Sequence, residues 1–303
     1  MSAEAVRRRG PLAAAALLVA LLTGPGAGDA GAPVVARAQG SAAANARYWT
    51  AARMAAARPL ELMRRESGPA LKRAPQPPPF ESFQVPDPSV PPLPAHGKVF
   101  GFLRGFGGFE CSATVVGSAS RSVVMTAGHC VYEPRSSTFA TRLTFVPAYA
   151  DGARPFGGWS VATSRSTRGW IRRENYDFDY ATLTVRPRNG ALIEDVVGAR
   201  ALATDTPREQ IYNAYGYPVN FADAQRQWTC RGPYAGDDPR PIPGGPAPVG
   251  MGCNMKEGAS GGGWVDDLGR LVSVTSFGYP RRKGFLYGPY LTAKAARLVA
   301  RSN

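Results

Sequence analysis

Chain breakers limit what this sequence can fold into more than any other feature: 28 prolines and 35 glycines are spread over 303 residues. A coiled coil or a bundle of long helices needs uninterrupted helical stretches, and so many breakers deny them. All-β proteins rich in turns use both residues freely, because proline presets turn geometry and glycine adopts the positive φ that tight turns require. A 44% apolar fraction with 12 Tyr, 13 Phe and 5 Trp is enough for a packed core, which excludes a chain disordered throughout.

The breakers are not evenly used. From Lys98 onward, short β-rich runs recur between Gly, Pro, Asp and Asn turns, at 98–103, 111–116, 122–126, 180–185, 210–217, 227–230 and 270–277. Alternation is clearest in Arg270, Leu271, Val272, Ser273 and Val274, where period 2 separates two faces. Thr292 is placed to cap a helix running to Ala300, the one convincing helix of this region. Strands without intervening helices over 98–303 predict an all-β sandwich or barrel pair rather than a parallel α/β sheet.

The first third has a different character. Residues 1–30 open with Arg7, Arg8 and Arg9, run through an apolar stretch at 11–22 and end in small residues, the order of a secretory signal peptide with cleavage after Ala30 or Ala32. Twelve apolar residues are too few to span a bilayer, which takes about 20, so no membrane anchor is expected. Export places the four cysteines in an oxidising compartment, where they pair. Residues 41–66 read as a helix ended at or shortly after Pro59, with Tyr48, Trp49, Met54 and Leu60 interspersed. Ten prolines in the 26 residues 69–94 predict an extended polyproline-type linker without ladder hydrogen bonds. Residues 31–97 are therefore expected to be a prosegment and Pro-rich linker, with a disordered extension as the alternative.

The formal charge is +14, which invites a polyanion partner. Residues 1–97 contribute net +5 and residues 98–303 net +9, and beyond Arg7–Arg9 the arginines stand singly or in pairs among acids. No run of five to eight consecutive basic residues, zinc-finger spacing or aromatic-basic ribonucleoprotein pattern occurs, so nucleic acid is not an expected partner.

Only two histidines are present. His96 closes the Pro-rich stretch and is expected to be solvated. His129 sits in Thr126-Ala127-Gly128-His129-Cys130, where an apolar strand ends by delivering an imidazole at a glycine turn. Imidazole titrates near neutrality and is the natural general base. The loop Gly258-Ala259-Ser260-Gly261-Gly262 offers a hydroxyl between glycines. By itself such a loop is as readily a plain linker. Beside a base, glycine lets successive N–H groups point at one spot, and the amides of Gly258 and Ser260 can then stabilise an oxyanion. In Asn175-Tyr176-Asp177-Phe178-Asp179-Tyr180-Ala181 an acid stands at the entrance of an apolar strand. Asp179 is preferred to Asp177 as the partner that fixes the imidazole, because it immediately precedes the strand; an ordinary turn aspartate is the alternative.

These three strings, in the order His129, Asp179, Ser260, closely resemble the trypsin-like (chymotrypsin-fold) serine peptidases, and within them the secreted bacterial branch related to the glutamyl endopeptidases. Subtilisins and α/β-hydrolases use other orders. The resemblance covers 98–303. It implies two six-stranded antiparallel β-barrels with a short C-terminal helix, and a secreted, monomeric serine endopeptidase, made as a zymogen and acting on protein or peptide substrates without cofactor or metal. It makes Ser260 the nucleophile, His129 the base and Asp179 its orienting partner, with an acyl-enzyme intermediate and an oxyanion hole at Gly258 and Ser260. It makes Ser276, Phe277 and Gly278 the substrate-binding strand, and Asn254 and Met255 the floor of the specificity pocket, where no aspartate favours Arg or Lys. It pairs Cys111 with Cys130 and Cys230 with Cys253; a zinc site is disfavoured because no Cys-x-x-Cys pair exists. Two departures matter. Ala259 stands where animal digestive members carry an aspartate that pairs with a newly cut N-terminus, and Gly263 stands where the family has a proline. A catalytically silent binding protein on the same fold, or an esterase using the same serine, are the competing readings.

Overall fold

The structure, a computed structural model, describes residues 1, 31–38, 40–60 and 76–303. The expected signal peptide, Met1 apart, lies outside the described residues, as do residues 61–75 of the expected helix and linker.

Six strands form the first barrel: β1 His96–Leu103, β2 Gly107–Val115, β3 Val123–Thr126, β4 Thr141–Pro147, β5 Trp159–Ser166 and β6 Ala181–Val185. Their order is β5-β6-β3-β2-β1-β4, and a further β4–β5 pairing closes the ring. Closure is local, through Trp159 and Ser160, and leaves residues 163–166 of β5 and 109–110 of β2 with an edge that segments from the first third pair with. Val99, Phe109, Cys111, Leu143, Phe145 and Leu183 fill the interior.

The second barrel uses β7 Ile211–Gly216, β8 Trp228–Asp237, β9 Val249–Gly252, β10 Gly263–Val265, β11 Leu271–Val274 and β12 Phe285–Gly288. Their order is β11-β10-β7-β8-β9-β12, and the two ends meet only at the bridge Phe277–Tyr287, so this unit is a half-barrel. Period 2 is visible in β7, where Tyr212, Ala214 and Gly216 are buried and their neighbours partly exposed. The helix Ala293–Ala300, with Thr292 Oγ1 accepting the Lys294 N–H, packs Leu298 and Val299 against Val123 and Met125 of β3 and Leu271 and Val274 of β11. It thereby joins the two barrels.

Three expectations for the first third need correction. The 41–66 helix is two short ones, Ala42–Tyr48 and Ala51–Ala55, because Thr50 starts a new helix by accepting the Arg53 N–H. The Pro-rich stretch is not free of sheet bonds: residues 80–85 contain no proline, and Glu81–Gln84 pairs antiparallel with β8. His96 is not solvated but 1% exposed, the first residue of β1. Arg200 Nε donates to its Nε2 at 3.2 Å, so the ring proton is on Nδ1, 2.8 Å from Thr114 Oγ1, and the ring stacks on Tyr215 at 4.1 Å. Burial, then the Arg200 charge, holds its pKa well below the ordinary histidine value.

Other arm residues are equally committed. Val34–Arg37 pairs with β5 and Arg58–Pro59 lies parallel to β2. Trp49 is 2% exposed and donates Nε1–H to Arg142 O. Beneath it, Lys98 and Glu110 form an ion pair at 0% and 2% exposure, with Lys98 Nζ also donating to Ala224 O.

Candidate active site

β3 is buried along its whole length and ends at Thr126, whose Oγ1 donates to Ser112 O at 2.9 Å. The chain then turns tightly, with the Val131 and Tyr132 N–H groups both reaching Gly128 O. Gly128 has to be glycine: a Cβ there would fall 2.8 Å from Trp170 Cγ and 2.9 Å from Asp179 Oδ1. A disulfide from Cys130 to Cys111 ties this turn to β2. The result is a His129 side chain 13% exposed, edge-on to Trp170 at 6.0 Å.

Asp179 follows the 3-10 turn Tyr176–Phe178, which Asn175 starts by accepting the Asp177 N–H. It is fully buried and receives three hydrogen bonds. Oδ1 accepts the His129 backbone N–H at 2.8 Å, and Oδ2 accepts His129 Nδ1–H at 2.7 Å and the Ser276 hydroxyl at 2.5 Å. The neighbouring acid goes elsewhere: Asp177 lies against Gly245, where a Cβ would fall 2.8 Å from its Oδ2. Of the two aspartates, Asp179 is the one that meets the imidazole.

Ser260 lies on the loop before β10, in the second barrel. Gly258 and Gly261 have φ of +89° and +79°, a region only glycine enters without strain. The loop is pinned by Gly261 N to Thr275 O at 2.7 Å and Ser112 N to Ser260 O at 2.7 Å. Cys130 Sγ lies 3.8 Å from Ser260 O, so the histidine turn and the serine loop are in contact across the barrels. Ser260 Oγ and His129 Nε2 are both buried atoms without a hydrogen-bond partner. The N–H groups of Gly258 and Ser260 are spent on no backbone acceptor among the described residues.

Of the Ser276, Phe277 and Gly278 stretch, Ser276 lines the cavity that also holds His129. Phe277 is fully buried, stacked on Tyr287 at 5.2 Å and joined to it by backbone hydrogen bonds in both directions. Ser276 O and the backbone groups of Gly278 make no such bond among the described residues, although both residues are buried. Asn254 is exposed and its Oδ1 accepts the Ser82 hydroxyl at 2.6 Å, while Met255 is 4% exposed in the second-barrel core. The second disulfide joins Cys230 to Cys253. Cys111, His129 and Cys130 are close enough to suggest a metal cluster, but both sulfurs are consumed by their disulfide.

Sequence reasoning missed the Ser276 hydroxyl on Asp179 and the contacts of Ser112. Both bridge residues far apart in the chain, 97 positions for the first and 146 for Ser112 to Gly258, and no local pattern announces them.

No protein-family model matches the chain. Solved structures do. The protease Anisep from Arthrobacter nicotinovorans is 32% identical, aligned over 71% of this chain and 97% of its own, with a TM-score of 0.64. The thermostable serine protease AL20 from an extremophilic microorganism is 34% identical over 69% of this chain and 96% of its own, with a TM-score of 0.63. A Glu endopeptidase shares the fold, at 19% identity and a TM-score of 0.59. A curated extracellular metalloprotease of Bacillus subtilis (strain 168) is 25% identical over 99 residues, and this chain spans only 31% of that protein's length. Two relatives above 30% identity, each matched over nearly its whole length, and a two-barrel architecture lead to one conclusion: the chain belongs to the chymotrypsin-fold serine proteases.

Proposed function

We propose that the protein is a secreted serine endopeptidase in which Ser260 attacks the peptide carbonyl, His129 takes its proton and returns it to the leaving amine, and Asp179 holds the imidazole in the tautomer with Nε2 free. The observation that carries this reading is the Asp179–His129 pair: a fully buried carboxylate accepts both the backbone N–H and the Nδ1–H of one histidine. That arrangement leaves the Nε2 lone pair free and stabilises the imidazolium formed during attack. The Ser260–Nε2 hydrogen bond forms as substrate enters, as catalytic contacts tighten in the complex. Gly258 and Ser260 supply the oxyanion N–H groups, a device whose loss costs about 100- to 1000-fold in rate. Substrate adds as a strand to the backbone groups of Ser276 and Gly278 that pair with no other strand. Asn254 and Met255, the expected pocket floor, carry no negative charge, so the pocket does not select Arg or Lys.

In the same reading the prosegment and linker run from residue 31 to the start of β1, two residues short of the expected boundary at 97, because His96 and Gly97 already pair with Thr114 and Ala113. Support comes from Arg58–Pro59, which takes the edge of β2 at Phe109 and Glu110, just before Cys111. Leu60 follows and lines a cavity of about 370 Å³ together with His129, Trp170, Tyr176 and Ser276. The arm thus covers the approach to the histidine.

Stopped-flow hydrolysis of matched peptide amide and ester substrates tests the reading. The expected result is a burst of leaving group with the ester, steady amide turnover, and loss of both in Ser260→Ala. Ester turnover without amide turnover, or amide turnover surviving the substitution, refutes it.

A further inference from the structure

An oxyanion loop needs an anchor, because its glycines leave the backbone free to swing the N–H groups away. The residue before the serine is Ala259, fully buried and uncharged, so no ionic latch from that position holds this loop. The structure assigns the task to Ser112, and the assignment rests on the proposed roles of Gly258 and Ser260. Ser112 is 1% exposed on β2. Its Oγ donates to Gly258 O at 2.8 Å and accepts the Tyr217 N–H at 3.0 Å. Its backbone N–H donates to Ser260 O at 2.7 Å.

One residue therefore grips both residues whose N–H groups form the hole. The hydroxyl has a single proton, and the Tyr217 N–H occupies a lone pair, so that proton is directed at the Gly258 carbonyl. Fixing this carbonyl fixes the 258–259 peptide plane, so the Gly258 N–H, on the preceding peptide, can swing only through the φ and ψ of Gly258 itself. The fit is tight on the other side too, since a Cβ at Gly258 would fall 2.3 Å from Tyr217 O. Ser112 is a positioning residue: it touches neither substrate nor reacting atoms, and it presets the oxyanion hole without any newly cut N-terminus.

Losing the anchor misplaces a donor for part of the time, so the effect is bounded by the 100- to 1000-fold cost of losing the donor outright. Ser112→Ala and Ser112→Gly are compared with the parent enzyme, with rates expressed per titrated active site. The expected result is a kcat on peptide amides about 10- to 100-fold lower with KM changed less than about 3-fold. Affinity for a peptide boronate, which mimics the tetrahedral adduct, falls by a similar factor, and affinity for the product peptide is unchanged. Ser112→Thr, which keeps the hydroxyl, restores most of kcat. Parent-like kcat and boronate affinity in both variants, or a Thr variant as impaired as Ala, overturn the role of Ser112 alone. A parent enzyme without amide turnover removes the underlying reading and this proposal with it.

Discussion

Asp179→Asn separates an orienting carboxylate from a buried structural one. Asp179 receives three donors: the His129 N–H, the His129 Nδ1–H and the Ser276 hydroxyl. An asparagine has one acceptor oxygen and an NH₂ group, so one donor must now face another donor. If the amide NH₂ faced the backbone N–H, two fixed donors would clash in a site with no exposure, which costs about 1–3 kcal/mol. If it faces the imidazole instead, the ring moves its proton from Nδ1 to Nε2 and the Ser276 hydroxyl rotates. The second arrangement wins because a tautomer can change and a peptide cannot. Its consequence is chemical: Nε2 now carries a hydrogen and cannot accept the proton of Ser260. In related enzymes the equivalent amide costs about 10⁴-fold in kcat, near 5 kcal/mol of barrier. We expect that loss at pH 7.5 with a folded protein of near-parent melting temperature. Amide hydrolysis per titrated site is the assay, with Asp177→Asn as the comparison, expected to stay within about 10-fold because Asp177 lies against Gly245 and not the imidazole. A 10⁴-fold loss in Asp177→Asn with less than 10-fold in Asp179→Asn refutes the assignment.

Other consequences follow from the buried groups. His96 has a depressed pKa, so as pH falls below about 6.5 the unfolded chain binds a proton that the native site refuses, and stability drops by up to about 1.4 kcal/mol per pH unit; melting curves from pH 8 to 5 should be flatter in His96→Gln than in the parent, and equal slopes contradict the burial argument. Lys98→Met leaves the Glu110 carboxylate buried without its cation and should cost about 3–5 kcal/mol by urea denaturation, whereas the double change Lys98→Met with Glu110→Leu should cost far less. Replacing Cys111 and Cys130 together by alanine opens a loop of 19 residues and should destabilise by about 3 kcal/mol, with a fall in kcat because the bridge fixes the histidine turn.

The parts of the site legible in the sequence are those written in contiguous strings. His129 and Ser260 sit in short glycine-containing segments that single them out as candidates, and Asp179, placed just before a strand, is the aspartate that contacts His129. The barrels were legible for the same reason: period 2 and turn residues mark β7 and β11 locally. What escaped is what depends on chain segments meeting from a distance. His96 follows a run of prolines, and nothing nearby indicates that Thr114, Arg200 and Tyr215 will enclose it. Proline density hid Glu81–Gln84, since an average over 69–94 obscures a proline-free window able to pair with β8. The hydroxyls of Ser112 and Ser276 carry no distinguishing sequence context at all.

The most direct test of the account is covalent labelling of the folded protein with a fluorophosphonate, followed by peptide mapping. One stoichiometric adduct on Ser260 is expected, abolished in Ser260→Ala and slowed by orders of magnitude in His129→Ala. An adduct on another serine, or equal labelling of parent and Ser260→Ala, contradicts it.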